Sequence, residues 1–154
     1  QGRIFSFFNR ETGTHNFQSD KAIESITSGG FFGKGIGEGV LKNRVPEAHT
    51  DYIISVISEE FGVVAIMLIL LLFLILIYMV FKKISFETND KVKLILIGSI
   101  SLILMQATIH IGVNIRLFPT TGMTLPFLSY GGSSIISTSI LGGIILNLTK
   151  RKIT

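Results

Sequence analysis

The stretch VVAIMLILLLFLILIYMVF, residues 63–81, carries no charge and is built almost wholly from Leu, Ile, Val, Met and Phe. At about 1.5 Å of rise per residue, such a helix crosses a hydrocarbon core of about 30 Å. Two further runs share its character. Leu94 to Val113 is interrupted only by mildly polar residues and by His110 near its far end, and Ser133 to Thr149 is Ile-rich and stops at Lys150-Arg151-Lys152. Backbone inside a bilayer must satisfy its own hydrogen bonds, so apolar runs of this length predict helices rather than barrel strands. The expected fold class is all-α, a polytopic membrane protein whose spans pack as a helical bundle.

Composition points the same way. Of 154 residues 47% are hydrophobic and only 16% charged, and the mean hydropathy is +0.59, values at odds with a soluble surface. The net charge of +4 comes from basic residues scattered through the first 45 positions or clustered beside apolar runs. That distribution fits membrane topology and anionic lipid, and no nucleic-acid partner is expected. Cysteine is absent, which removes disulfides and thiolate metal sites from consideration. The chain opens at Gln1 with Gly-Arg-Ile-Phe-Ser-Phe-Phe and no leader pattern. It is expected to be a piece of a longer protein, with further helices N-terminal to Gln1 that fill the notches at Gly98, Gly142 and Gly143.

Lys82-Lys83 and Lys91/Lys93 flank the connection between the first two runs, and Lys150-Arg151-Lys152 follows the third. The positive-inside rule puts both on the cytoplasmic side. The expected order is an outer loop at 1–50, a helix at 51–81, an inner loop at 82–93, a helix at 94–113, an outer loop at 114–132, a helix at 133–149 and an inner tail at 150–154. Cations in the outer segment, such as Arg3, Lys21 and Lys34, run against a naive count. Long loops weigh less in the rule, and outer cations suit phosphate.

Three segments have the makings of a site. Ser28-Gly-Gly-Phe-Phe-Gly-Lys-Gly-Ile-Gly-Glu-Gly39 is rich enough in glycine to expose backbone N–H groups to an anion, although it lacks the spacing of a P-loop. A flexible linker explains it equally well. In Val45-Pro-Glu-Ala-His-Thr-Asp-Tyr-Ile-Ile-Ser-Val-Ile-Ser-Glu-Glu-Phe-Gly62, Pro46 suits a first helical turn. Asp51, Ser55, Ser58 and Gly62 then fall on one stripe, with Glu60 opposite and Glu59 between. Acidic groups at membrane depth are costly, which makes Asp51, Glu59 and Glu60 functional candidates; a helix cap and a wet interface are the plainer alternative. The third segment, Asn114-Ile-Arg-Leu-Phe-Pro-Thr-Thr-Gly-Met-Thr-Leu-Pro-Phe-Leu-Ser-Tyr-Gly-Gly-Ser-Ser134, reads either as a re-entrant loop lining a cavity or as a connector with Tyr130 as headgroup anchor. His15, His49 and His110 show no zinc spacing, and no Gly-x-Ser-x-Gly elbow is present.

Taken together, Gly-Lys-Gly-Ile-Gly at 33–37, Pro-Glu-Ala-His-Thr-Asp-Tyr-Ile at 46–53, Glu-Glu-Phe-Gly at 59–62 and the run from Pro119 to Ser134 resemble the SEDS family (shape, elongation, division, sporulation). The Pro-Glu-Ala-His-Thr-Asp form is closer to its division branch than to its elongation branch. His110 and Arg116 depart from the family pattern, and residues 1–16 carry no motif that matches it. The resemblance implies a ten-span protein of the bacterial inner membrane, both termini cytoplasmic, of which these are the last three spans. It also implies a peptidoglycan glycosyltransferase that polymerises lipid II at the division septum. Such an enzyme works with a class B penicillin-binding transpeptidase and other division proteins and is assisted by a divalent cation, magnesium or manganese, whose ligands are not identified. The family's essential carboxylate maps to Asp51. Candidates for substrate contact within the matching motifs are Lys34, Glu47, His49, Thr50, Ser58, Glu59, Ser129 and Tyr130. A lipid II transporter and a non-catalytic scaffold are the rival readings.

Overall fold

The computed structural model describes residues 14–40 and 48–150, and among these all regular structure is helical: α1 (Thr14–Gly29), α2 (Ile53–Phe86), α3 (Asp90–Asn114) and α4 (Gly132–Thr149). The last three are long and apolar enough to cross a membrane. Their bounds differ from expectation in ways that matter for the site. Asp51 precedes α2 in a turn over 48–52 instead of lying on the helix, and α2 runs past Lys82-Lys83 to Phe86. At the α2–α3 turn Lys83 Nζ lies 2.8 Å from a Glu87 carboxylate oxygen, and that hydrogen bond holds the carboxyl below its ordinary range. Asn89 caps α3 by accepting from the Lys91 N–H at 3.0 Å.

Helix α1 falls inside the expected outer loop. Its sequence has little apolar periodicity, and an isolated helix of this length is marginal in water. Tertiary contact supplies what propensity does not. Ala22 is wholly buried with Ala48, Tyr52, Val56 and Val113, so α1, the 48–52 turn, α2 and α3 meet in one cluster. A second cluster joins Val80, Leu96, Ile100, Ile103 and Ile145 of the three spans. A third brings Leu125 of the α3–α4 connection against Ile54 and Ala107. Elsewhere the spans present open apolar surface, as at Met67, Leu68, Leu71 and Leu74, the pattern of helices surrounded by lipid or by further helices.

The largest departure from a simple bundle is in α2. Gly62 has φ 76° and ψ −174°, a conformation closed to residues with a Cβ, and it divides the helix into 53–61 and 63–86. The glycine-rich loop fills the break. Lys34 and Gly35 donate their backbone N–H groups to the carbonyls of Glu59 and Glu60 at 2.8 and 3.1 Å, while Val63 and Val64 donate to Gly30 and Phe31 at 3.0 and 3.4 Å. Groups orphaned by the break are thus paired across it, as membrane depth demands. A linker reading of this loop is therefore untenable, and the N–H groups of Lys34 and Gly35 are not offered to an anion.

Candidate functional site

Asp51 is 7% exposed and sits between Ala48 and Tyr52, two wholly buried anchors. Buried carbonyls need donors, and the turn finds them far away in sequence. Tyr130 N–H reaches the His49 oxygen at 3.2 Å, Ser129 Oγ donates to the Thr50 oxygen at 2.9 Å, and Asn114 Nδ2 donates to the Asp51 oxygen at 2.9 Å. Three consecutive carbonyls each accept from a donor of the α3 end or the α3–α4 connection. Ser129 Oγ also accepts from Leu125 N–H at 2.8 Å, which ties the clamp to the buried part of that connection.

The connection is packed rather than superficial. Leu125 and Ser129 are each 1% exposed, and the exit from α3 is closed by Leu117 N–H to Gly112 oxygen at 2.7 Å and Arg116 N–H to Val113 oxygen at 3.1 Å. That is a Schellman closure with an arginine where glycine is usual: Arg116 has φ 64°. Its guanidinium pairs with Asp20 of α1. His110 is wholly buried with Nδ1 2.8 Å from the Met123 oxygen.

Glu59 is the second buried carboxylate, 2% exposed, with Lys34 Nζ at 2.9 Å. The pair borders a 170 Å³ pocket with Lys21, Ser25 and Ser28 among its other walls. Lys21 pairs with Glu24 there, so the pocket's cations are matched by carboxylates. Removing the cation from a buried carboxylate is costly, although Lys34 is over a third exposed and solvent screens part of the effect. Lys34→Met is expected to lower the thermal midpoint of the full-length protein in detergent, with a cost of about 1–3 kcal/mol, and Lys34→Met/Glu59→Gln to recover most of it. A double variant less stable than the single one contradicts this pairing.

The expected polar stripe does not form. Asp51 is off the helix and Gly62 is the break; Ser55 is engaged by Asn114, with its Oγ 2.7 Å from Oδ1. Ser58 lines an apolar pocket of 200 Å³ with Ile54, Ile66, Phe73 and Leu125, and its hydroxyl finds no partner among the described residues. Among the substrate-contact candidates, His49, Thr50, Ser129 and Tyr130 are brought to the Asp51 turn; Lys34 and Glu59 form the ion pair beside the break; Ser58 faces the apolar pocket. Tyr130 is 79% exposed, and its backbone N–H is what enters the clamp. Glu47, with Pro46, lies outside the described residues. Sequence reasoning passed over Asn114, although an amide ending an apolar run is itself a signal of an interior hydrogen-bonding role.

Comparison with known proteins bears on what this arrangement serves. The chain is 40% identical over 138 residues to an Enterococcus hirae protein named "Probable peptidoglycan glycosyltransferase FtsW", covering 89% of this chain and 35% of that one. A Geobacter metallireducens protein of the same name is 36% identical over 152 residues, covering 97% and 40%. The chain therefore spans little more than a third of the length of these relatives. A solved chain from work titled "Structural coordination of polymerization and crosslinking by a peptidoglycan synthase complex" superposes with a TM-score of 0.74 at 26% identity, over 99% of this chain and 42% of that one. Residues 1–153 match the FtsW/RodA/SpoVE family, described as cell cycle protein, and the chain belongs to that family.

Proposed function

We propose that the full-length protein containing this chain is a peptidoglycan glycosyltransferase that polymerises lipid II during bacterial cell division, in the cytoplasmic membrane at the septum and with a class B transpeptidase as partner. The observation that carries the reading is the clamp on the carbonyls of residues 49–51, which gives the Asp51 backbone a fixed place at the entrance to a span. The names of the relatives support the activity, and the complex in the structural neighbour's title supports the partner.

In this mechanism Asp51 acts as general base. Its carboxylate takes the proton of an acceptor sugar hydroxyl as that oxygen bonds to the anomeric carbon of the donor sugar. The bond from that carbon to the diphosphate oxygen breaks, and polyprenyl diphosphate leaves. Positioned proton transfer of this kind contributes on the order of 10²–10⁴-fold. Charge on the departing diphosphate needs neutralising; Lys34 and Lys21 are engaged with Glu59 and Glu24, which favours cations elsewhere in the full-length protein. Among the described residues no three His, Asp or Glu side chains gather to hold a metal ion. A divalent cation, magnesium or manganese, would supply part of that charge when bound.

Purified full-length protein in complex with its transpeptidase is expected to convert lipid II into glycan strands. An intact complex that yields none, while moving labelled lipid II across vesicles or only stimulating crosslinking, contradicts the reading in favour of a transporter or a scaffold. Orientation is tested through the absence of cysteine in this chain. With Thr88→Cys or Thr121→Cys as the sole thiol in the full-length protein, an impermeant maleimide is expected to reach position 121 in intact spheroplasts and position 88 only after lysis. The reverse pattern contradicts the assigned topology.

A further inference from the structure

Asn114 is wholly buried at the end of α3. A primary amide offers two N–H donors and an oxygen with two lone pairs, and every one of them is used. Nδ2 donates to the Asp51 and His110 oxygens, both at 2.9 Å. Oδ1 accepts from Ser55 N–H at 3.3 Å and from Ser55 Oγ at 2.7 Å. Flipping the amide would set its oxygen against two carbonyl oxygens, so the network fixes its orientation.

Two tasks meet in this side chain. Helix α2, whose N-cap residue is Tyr52, has no side-chain cap bond of its own, and Asn114 caps it from another helix by accepting from the Ser55 N–H. With its other end it holds the Asp51 carbonyl. The remaining clamp donors, Tyr130 N–H and Ser129 Oγ, come from the α3–α4 connection; Asn114 is the donor that belongs to a membrane-spanning helix. It therefore references Asp51 to the spans themselves.

We infer that Asn114 is a positioning residue for the reaction, setting the Asp51 backbone against the start of α2 so that the carboxylate meets the acceptor hydroxyl. This rests on the reading of Asp51 as the base. Misplacement of a catalytic group by about 1 Å costs on the order of 100-fold in rate, so the effect falls on turnover rather than on substrate binding.

The test uses the full-length protein in complex with its transpeptidase, with lipid II as substrate. Asn114→Asp keeps an acceptor for Ser55 but turns oxygens on the two carbonyls; Asn114→Ser is too short to reach them and decides the matter if the first variant does not accumulate. The expected result is a fall in kcat of about 10- to 100-fold, with KM within about twofold. A merely structural role lowers the yield of intact complex while leaving kcat and KM per complex unchanged, and that result overturns the inference. Asp51→Asn is run alongside. Full activity in that variant removes the base and with it this inference, whereas an inactive Asp51→Asn beside fully active Asn114 variants removes the inference alone.

Discussion

Gly62→Ala is expected to undo the break in α2 and with it the seat of the glycine-rich loop. A Cβ at that position would lie 2.2 Å from the Phe31 oxygen and 2.5 Å from the Gly33 nitrogen, at a φ of +76°. Neither neighbour can retreat cheaply. Both belong to the backbone that pairs across the break, through Val63 N–H to the Gly30 oxygen and Lys34 N–H to the Glu59 oxygen. Left-handed backbone costs a residue with a Cβ about 1–3 kcal/mol before any clash. With the clash and the loss of paired groups at membrane depth, the total is expected to exceed about 4 kcal/mol, which lies in the exceptional range for one substitution. Full-length protein carrying Gly62→Ala is expected to accumulate poorly and to melt several degrees lower in detergent. Gly33→Ala is expected to do the same, since its Cβ would fall 2.2 Å from the Glu60 oxygen. Gly132→Ala, whose Cβ meets no atom within 4 Å among the described residues, serves as the comparison. A Gly62→Ala protein as stable as wild type contradicts the described break.

The three spans were legible because nothing but a membrane helix explains a run such as 63–81, and the motif order gave the family. The break was not legible as such. Gly62 sits between Phe61 and Val63 in an otherwise helical pattern, where a glycine reads as a weak spot rather than a stop. What decides its conformation is the approach of Phe31 and Gly33 from some thirty residues away. The same holds for Asp51. Periodicity placed it on a helical stripe with Ser55 and Ser58, but the turn over 48–52 is imposed by donors on Asn114, Ser129 and Tyr130, which no local pattern announces. Helix α1 was hidden for the converse reason: its sequence has weak apolar periodicity, and only the contact of Ala22 with Tyr52 and Val113 makes it worth forming.

The second large effect is expected at Asp51 itself. All three clamp bonds on residues 49–51 use backbone oxygens, so Asp51→Asn, nearly isosteric, leaves the clamp in place while it takes away the carboxylate's charge. A folded, correctly assembled protein without a base is the predicted outcome. Asp51→Glu restores the charge but moves it by one methylene, and on the same misplacement scale it too is expected to lose on the order of 100-fold. Loss in both variants with intact assembly separates chemistry from folding, because a structural role for the carboxylate would fail first in expression and in binding the transpeptidase. The most direct measurement is the rate of lipid II polymerisation by the full-length complex, wild type against Asp51→Asn, at matched complex concentration. A fall of about 10²–10⁴-fold with the complex intact is what a general base predicts; a rate within a few fold of wild type would contradict it.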